Sequence, residues 1–156
     1  MIRAIRPPTK AEAEYQEAMR AQGCAVCHFR ITHGLQPKKW GQGGSSHLHH
    51  RNLNDQHGQL QIGQHAVVCL CAWHHEGLIE IAWPPLNADD MREIYGPSFK
   101  LHAKDFRVWT EDVLPGMGRG TEAWQAYQEA LIDPHLPRYA ENKPDSSINS
   151  MEPGGA

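Results

Sequence analysis

Cys24-Ala25-Val26-Cys27 and Cys71-Ala72-Trp73-His74 each place two metal-ligating residues with two others between them. A pair at that spacing offers two donor atoms from a single turn, and two such pairs close a tetrahedron. Thiolate and imidazole donors suit Zn²⁺, so the four residues read as a Cys3His structural site. All four cysteines and nine of the eleven histidines fall between residues 24 and 75, a concentration that points to metal binding before disulfides. The metal would supply folding free energy to a chain that is 40% hydrophobic with a mean hydropathy of -0.61. Cys69 stands two residues before Cys71 and could take its place as a ligand, but reads better as a small buried apolar residue.

A second set of residues could do chemistry on a substrate. His49-His50 and His74-His75 are adjacent pairs flanking the Cys/His cluster. Neighbouring residues on a strand face opposite sides, so one histidine can bind a metal while the next meets a substrate, a division that suits hydrolysis. His47 shares the face of His49 and is a weaker candidate for a ligand or a phosphate contact. Other signatures overlap these residues and fail on context. Cys24 to His28 fits the C-x-x-C-H haem pattern, which belongs to exported proteins, and the start of this chain has no apolar signal-like run. His74-His75-Glu76 fits half of a zinc-deaminase signature, but no P-C-x-x-C follows it. A two-Cys two-His finger needs a His pair about twelve residues after Cys27, and a redox Cys pair needs a βαβ setting; neither is found.

The elements that must position these groups follow from capping and patterning. Thr9 and Glu12 form a T-x-x-E capping box that predicts a helix over 9–22, delivering Cys24. The Gly-, Pro- and Ser-rich stretch 34–46 reads as a surface loop, residues 45–50 as a first strand, and the β-branched run 66–70 as a second, the two forming a hairpin with a long connection. A short helix is expected between Ala72 and Gly77, an extended segment over 79–85, and helices over 87–95, 102–112 and 121–132 with Phe106, Trp109, Trp124, Tyr127 and Leu131 facing inward. The fold class is therefore α+β, and 156 residues suit one domain. We divide the chain into a helical lead-in (1–23), a metal-stabilised domain with a helical extension (24–132) and a flexible tail (133–156).

Charge and hydropathy limit the partners. The net charge of -3 gives no overall reason to expect nucleic acid, yet residues 1–60 hold eight basic against four acidic side chains, while residues 61–156 hold seven against fourteen. An anion-binding surface should therefore draw on the first part. No stretch approaches the roughly 18 apolar residues of a membrane span, so the expectation is a cytoplasmic chain with no membrane partner.

The segments CAVC (24–27), HLHH (47–50) and AVVCLCAWHHEG (66–77) together resemble the HNH, or ββα-metal, nucleases. With the capped helix before them and YGPSF (95–99) after, the order looks most like the phage recombination-enhancement, RecA-dependent nucleases, over residues 9–132 and most strongly over 24–77. The resemblance implies a small ββα-metal core with a structural zinc, surrounded by helices. It makes Cys24, Cys27, Cys71 and His74 the zinc ligands, His49 and His75 the ligands of a catalytic Mg²⁺ or Mn²⁺, and His50 the general base. The middle position of the motif falls on His65, with Gln64 the adjacent alternative. Some family members carry a further histidine where Ile79 stands here, so water and phosphate oxygen would complete a two-His site. Arg30, Lys38, Lys39 and Arg51 are candidates to hold the DNA backbone. DNA and the RecA filament are the implied partners, with no small-molecule cofactor. In another class stands a non-catalytic zinc module binding DNA or protein, and within the nucleases a packaging or homing enzyme.

Overall fold

A computed structural model of the chain describes residues 6–36, 45–52, 55, 61–80 and 86–136. The expected loop residues Lys38 and Lys39, the segment 81–85 and the tail from 137 onward lie outside the described residues.

The capping box forms as the sequence predicts. Thr9 accepts from the Glu12 amide, and the Glu12 carboxylate accepts from the Thr9 amide, starting α1 (Lys10–Ala21). Its buried stripe of Glu12, Tyr15, Gln16 and Met19 packs on the sheet, where Tyr15 and Met19 join Val67, Ile132 and Leu48. The chain then does something the sequence reading does not anticipate. Cys24 caps a second helix, α2 (Ala25–Thr32), its sulfur accepting from the Cys27 amide at 3.4 Å. Val26, Ile31 and Thr32 argue weakly against helix, but burial of Ala25, Val26, Cys27 and Phe29 in the main core overrides that propensity.

Strands β1 (Ser46–His50) and β2 (Val67–Cys71) pair antiparallel, in register from Ser46 opposite Cys71 to His50 opposite Val67. β2 is buried at every position and β1 is half-buried throughout. Cys71 ends β2 and caps α3 (Ala72–Glu76), so strand passes into helix with no loop between. α3 stops at Gly77, whose left-handed backbone and close approach to Leu101 exclude a side chain.

Three helices back this junction: α4 (Ala88–Tyr95), opened by an Asn87–Asp90 capping box, α5 (Ala103–Val113) and α6 (Thr121–Glu129). Gly120 brings no capping side chain to α6. Asp55, from the β1–β2 connection, supplies the cap instead, accepting from the Thr121 amide at 2.9 Å and from its hydroxyl. Phe106 and Trp124 are fully buried as expected, while Trp109 and Tyr127 are only partly so. Leu131 departs from the expectation. The helix ends at Glu129, short of Ile132, and the turn that follows carries Leu131 into solvent while Ile132 packs beneath α1. The architecture is α+β, with a two-stranded sheet among the described residues and helices around it. No helix among the described residues is long and apolar enough to cross a membrane.

A candidate metal centre beside a histidine pair

Cys24, Cys27, Cys71 and His74 converge so that one donor atom from each lies within 4.8 Å of the others, all four residues being buried. The His74 Nδ1 stands 3.5, 3.4 and 3.1 Å from the sulfurs of Cys24, Cys27 and Cys71, and the Cys27 and Cys71 sulfurs are 3.7 Å apart. A tetrahedral zinc with ordinary bond lengths spaces sulfur from sulfur by about 3.8 Å and sulfur from nitrogen by about 3.5 Å. The four donors therefore have the size and chemistry of a zinc site. Two helix starts build it, since Cys24 and Cys71 each cap a helix, and a helix N-terminus favours thiolate. The other ring nitrogen of His74, Nε2, donates to the Tyr95 carbonyl at 2.7 Å, which fixes the ring with Nδ1 free to ligate.

The thiols show why a cation belongs there. Burial works to raise Cys24, but hydrogen bonds from Cys27 and Cys71, with His74 beside them, hold it well below its ordinary value. Cys27 is pushed far up by those same hydrogen bonds with Cys24 and Cys71 and by burial, and Cys71 by burial and its contact with Cys24. Without metal, one negative charge is shared among three sulfurs; a divalent ion stabilises the other thiolates. Cys69 lies outside the cluster. It is fully buried and its backbone amide donates to Gln128.

One residue beyond the ligand His74, the His75 Nε2 meets the His49 Nδ1 at 3.0 Å, with ring centroids 4.7 Å apart. Two neighbouring ligands of a six-coordinate ion are spaced by about 3 Å, and the same spacing serves a neutral N–H···N hydrogen bond. Burial, then the charges of His75, Arg51 and His50, push His49 down to about 3, and burial also lowers His75. Both rings are therefore neutral at pH 7, the state a metal ligand needs. The Nδ1 of His75 is buried with no hydrogen-bond partner among the described residues. Phe99 walls the pair, 5.6 Å from the His49 ring. His47 shares that face, 6.1 Å from the His75 ring, and its Nε2 lies 3.2 Å from the Ser45 hydroxyl. Ser45 in turn donates to the exposed Glu80.

His50 points away from this pair, as alternation on a strand requires. Its Nε2 lies 3.2 Å from the Gln64 Oε1. His65, which the resemblance sets at the middle of the motif, is not brought to His50. Its ring packs 5.1 Å from Tyr15, its Nδ1 lies 3.4 Å from the Glu12 carboxylate, and its carbonyl accepts from Gln125. Gln64, the adjacent alternative, is the residue that touches His50.

Two of the four DNA-contact candidates are committed to the interior. Arg30 donates to Gln36, to the carbonyls of Leu35 and Ile94, and lies over the Trp109 ring at 5.6 Å. A Cβ on Gly96 would sit 2.7 Å from its guanidinium, so glycine is required where that backbone crosses it. Arg51 donates to Thr121 and Gln125 on α6. Each is under a tenth exposed, so neither reaches a phosphate. The sequence reading also missed Gln16, whose signal was a polar residue on the apolar stripe of α1, and the brace at Tyr95 to Phe99. There the Gly96 carbonyl accepts from Trp73, and Phe99 donates to the His74 carbonyl.

Compared with family models, curated proteins and solved structures, the chain finds no match. Its function is argued from the site alone.

Proposed function

We propose that this chain is a metal-dependent DNA endonuclease of the HNH kind. In this reading His49 and His75 hold one Mg²⁺ or Mn²⁺, His50 is the general base, and Cys24, Cys27, Cys71 and His74 hold a structural Zn²⁺. The observation that carries it is the 3.0 Å approach of two neutral imidazole nitrogens, from β1 and α3, with a third imidazole next in the chain and outside the pair. A divalent ion bound there would act as a Lewis acid toward a phosphodiester and its departing 3′ oxygen. His50 takes the proton from the attacking water, work that an imidazole does near neutral pH. The buried zinc ligands fix the start of α3 and so the place of His75. The chain offers no base-reading group that we identify, so targeting falls to a partner. The resemblance implies a RecA filament, in phage recombination within the bacterial cytoplasm.

The test is cleavage of circular single-stranded and supercoiled DNA with Mg²⁺ or Mn²⁺, with and without a RecA filament, comparing wild type with His50→Ala. Cleavage by wild type, lost in the variant while zinc content and fold persist, supports the reading. A folded, zinc-loaded wild type that cuts nothing under any of these conditions overturns it and leaves a non-catalytic zinc module for DNA or protein.

A further inference from the structure

The half-buried His50 ends a chain of hydrogen bonds that begins in α1. The Gln16 side-chain amide donates to the Gln64 carbonyl at 2.8 Å and to the Gln64 Oε1 at 2.7 Å. The Gln64 side-chain amide donates to the Arg6 carbonyl at 2.5 Å. Backbone carbonyls only accept, so both contacts settle which end of each glutamine is nitrogen. The Gln64 Oε1 is therefore an oxygen facing His50, and an oxygen of that kind cannot donate. The 3.2 Å contact closes only if the His50 Nε2 carries the proton. Both glutamines are under a tenth exposed, so neither is free to reorient at low cost.

We propose that Gln64, clamped by Gln16 and the Arg6 carbonyl, is a positioning residue that fixes His50 as its Nε2–H tautomer and leaves Nδ1 as the nitrogen that takes the proton. The assignment deepens the nuclease reading and rests on it for the role of Nδ1. It gives α1, a lead-in helix in the sequence reading, a part in the site. A histidine that can flip or exchange tautomers meets its water in the right state only part of the time, and a loss of orientation alone lowers turnover.

The test pairs nitrogen-15 NMR of the His50 ring with cleavage kinetics on the zinc-loaded full chain. In wild type at neutral pH we expect a protonated, slowly exchanging Nε2–H and an unprotonated Nδ1. Gln64→Leu should move that proton into fast exchange and lower kcat about tenfold or more, with KM for DNA and zinc content unchanged. Gln64→Leu leaves the Gln16 amide and the Arg6 carbonyl without their partner, so the double variant Gln16→Leu/Gln64→Leu guards against a failure to fold; replacing interacting polar groups together is far milder than orphaning one. It should show the same spectrum. A wild-type His50 protonated on Nδ1, or an Nε2–H signal indifferent to both variants, overturns the proposal. If wild type cuts no DNA, the spectrum still decides. The Nε2–H signal, lost on substitution, upholds the clamp while the nuclease reading falls.

Discussion

His74 and His75 are neighbours on one short helix, yet they belong to two regions built on different principles. The first is closed: four protein donors, all buried, from the starts of two helices, with the second nitrogen of its imidazole tied to Tyr95. The second is open: two imidazoles on a half-buried face, leaving room for further ligands on any ion they hold. A closed tetrahedron suits a metal that holds a fold, and an incomplete set suits one that meets a substrate. The contrast predicts that the same change one residue apart has unlike consequences.

The largest effect should come from the closed region. Removing zinc with a chelator, or replacing Cys71 by Ser, should abolish cooperative folding. Structural zinc contributes on the order of 10 kcal/mol to small metal-dependent folds, against a total stability of about 5–15 kcal/mol for a domain. Thermal melts followed by circular dichroism, with metal content measured on the same samples, check this. A cooperative, unshifted transition in zinc-free protein would break the comparison at its root.

His75→Ala sharpens it from the other side. Little of the core rests on this ring, so zinc content should be unchanged and the melting midpoint should move by a few degrees at most. Binding of Mn²⁺, followed by its paramagnetic resonance, should be lost, and cleavage should fall about a hundredfold or more. His74→Ala, one residue earlier, should behave like the zinc-free protein. If both variants unfold alike, or both bind Mn²⁺ alike, the two regions are not separate in function.

The two regions were unequally legible in the sequence. The Cys and His spacing gave the closed site outright, because ligand spacing is a local property and Cys24 and Cys71 each begin the turn that brings in the second ligand. The capping box of α1, the two strands and the short α3 were equally local. What the sequence could not show is which partner a side chain finds across the fold. Arg30 and Arg51 look like phosphate contacts in a basic half of the chain, and only tertiary packing reveals one beneath Trp109 and the other against α6. The choice between His65 and Gln64 is of the same kind. Adjacent residues in a turn face different ways, and the Glu12–Tyr15 side of α1 takes the histidine while His50 meets the glutamine.

Those arginines provide the next test. Arg30→Ala removes hydrogen bonds to Gln36, Leu35 and Ile94 together and uncovers Trp109, and should cost about 2–3 kcal/mol of stability. A DNA-contact residue would behave otherwise, lowering the slope of DNA affinity against salt with little change in melting. We expect the first outcome from denaturant titration and an unchanged salt slope. The reverse pattern would return Arg30 to the DNA surface.

The smallest effect concerns acid, and it separates the metal cluster from the support of α1. Arg6 hydrogen-bonds the Glu12 carboxylate and, with the Thr9 contacts, holds it down to about 2 against the opposing effect of burial. A carboxylate lowered on folding stabilises the folded state above its ordinary value near 4.5, and that contribution fades as pH falls from there through about 2. Acid also protonates the zinc thiolates and releases the metal, so a simple fall in wild-type stability would not isolate Glu12. The difference between wild type and Glu12→Gln does. Measured as denaturant midpoints in excess zinc, the gap should be full at pH 6 and narrower at each step below 4.5, for as long as the metal stays bound. A gap that stays constant as the pH falls would mean that Glu12 acts through shape alone, and that the loss in acid belongs to the cysteine cluster.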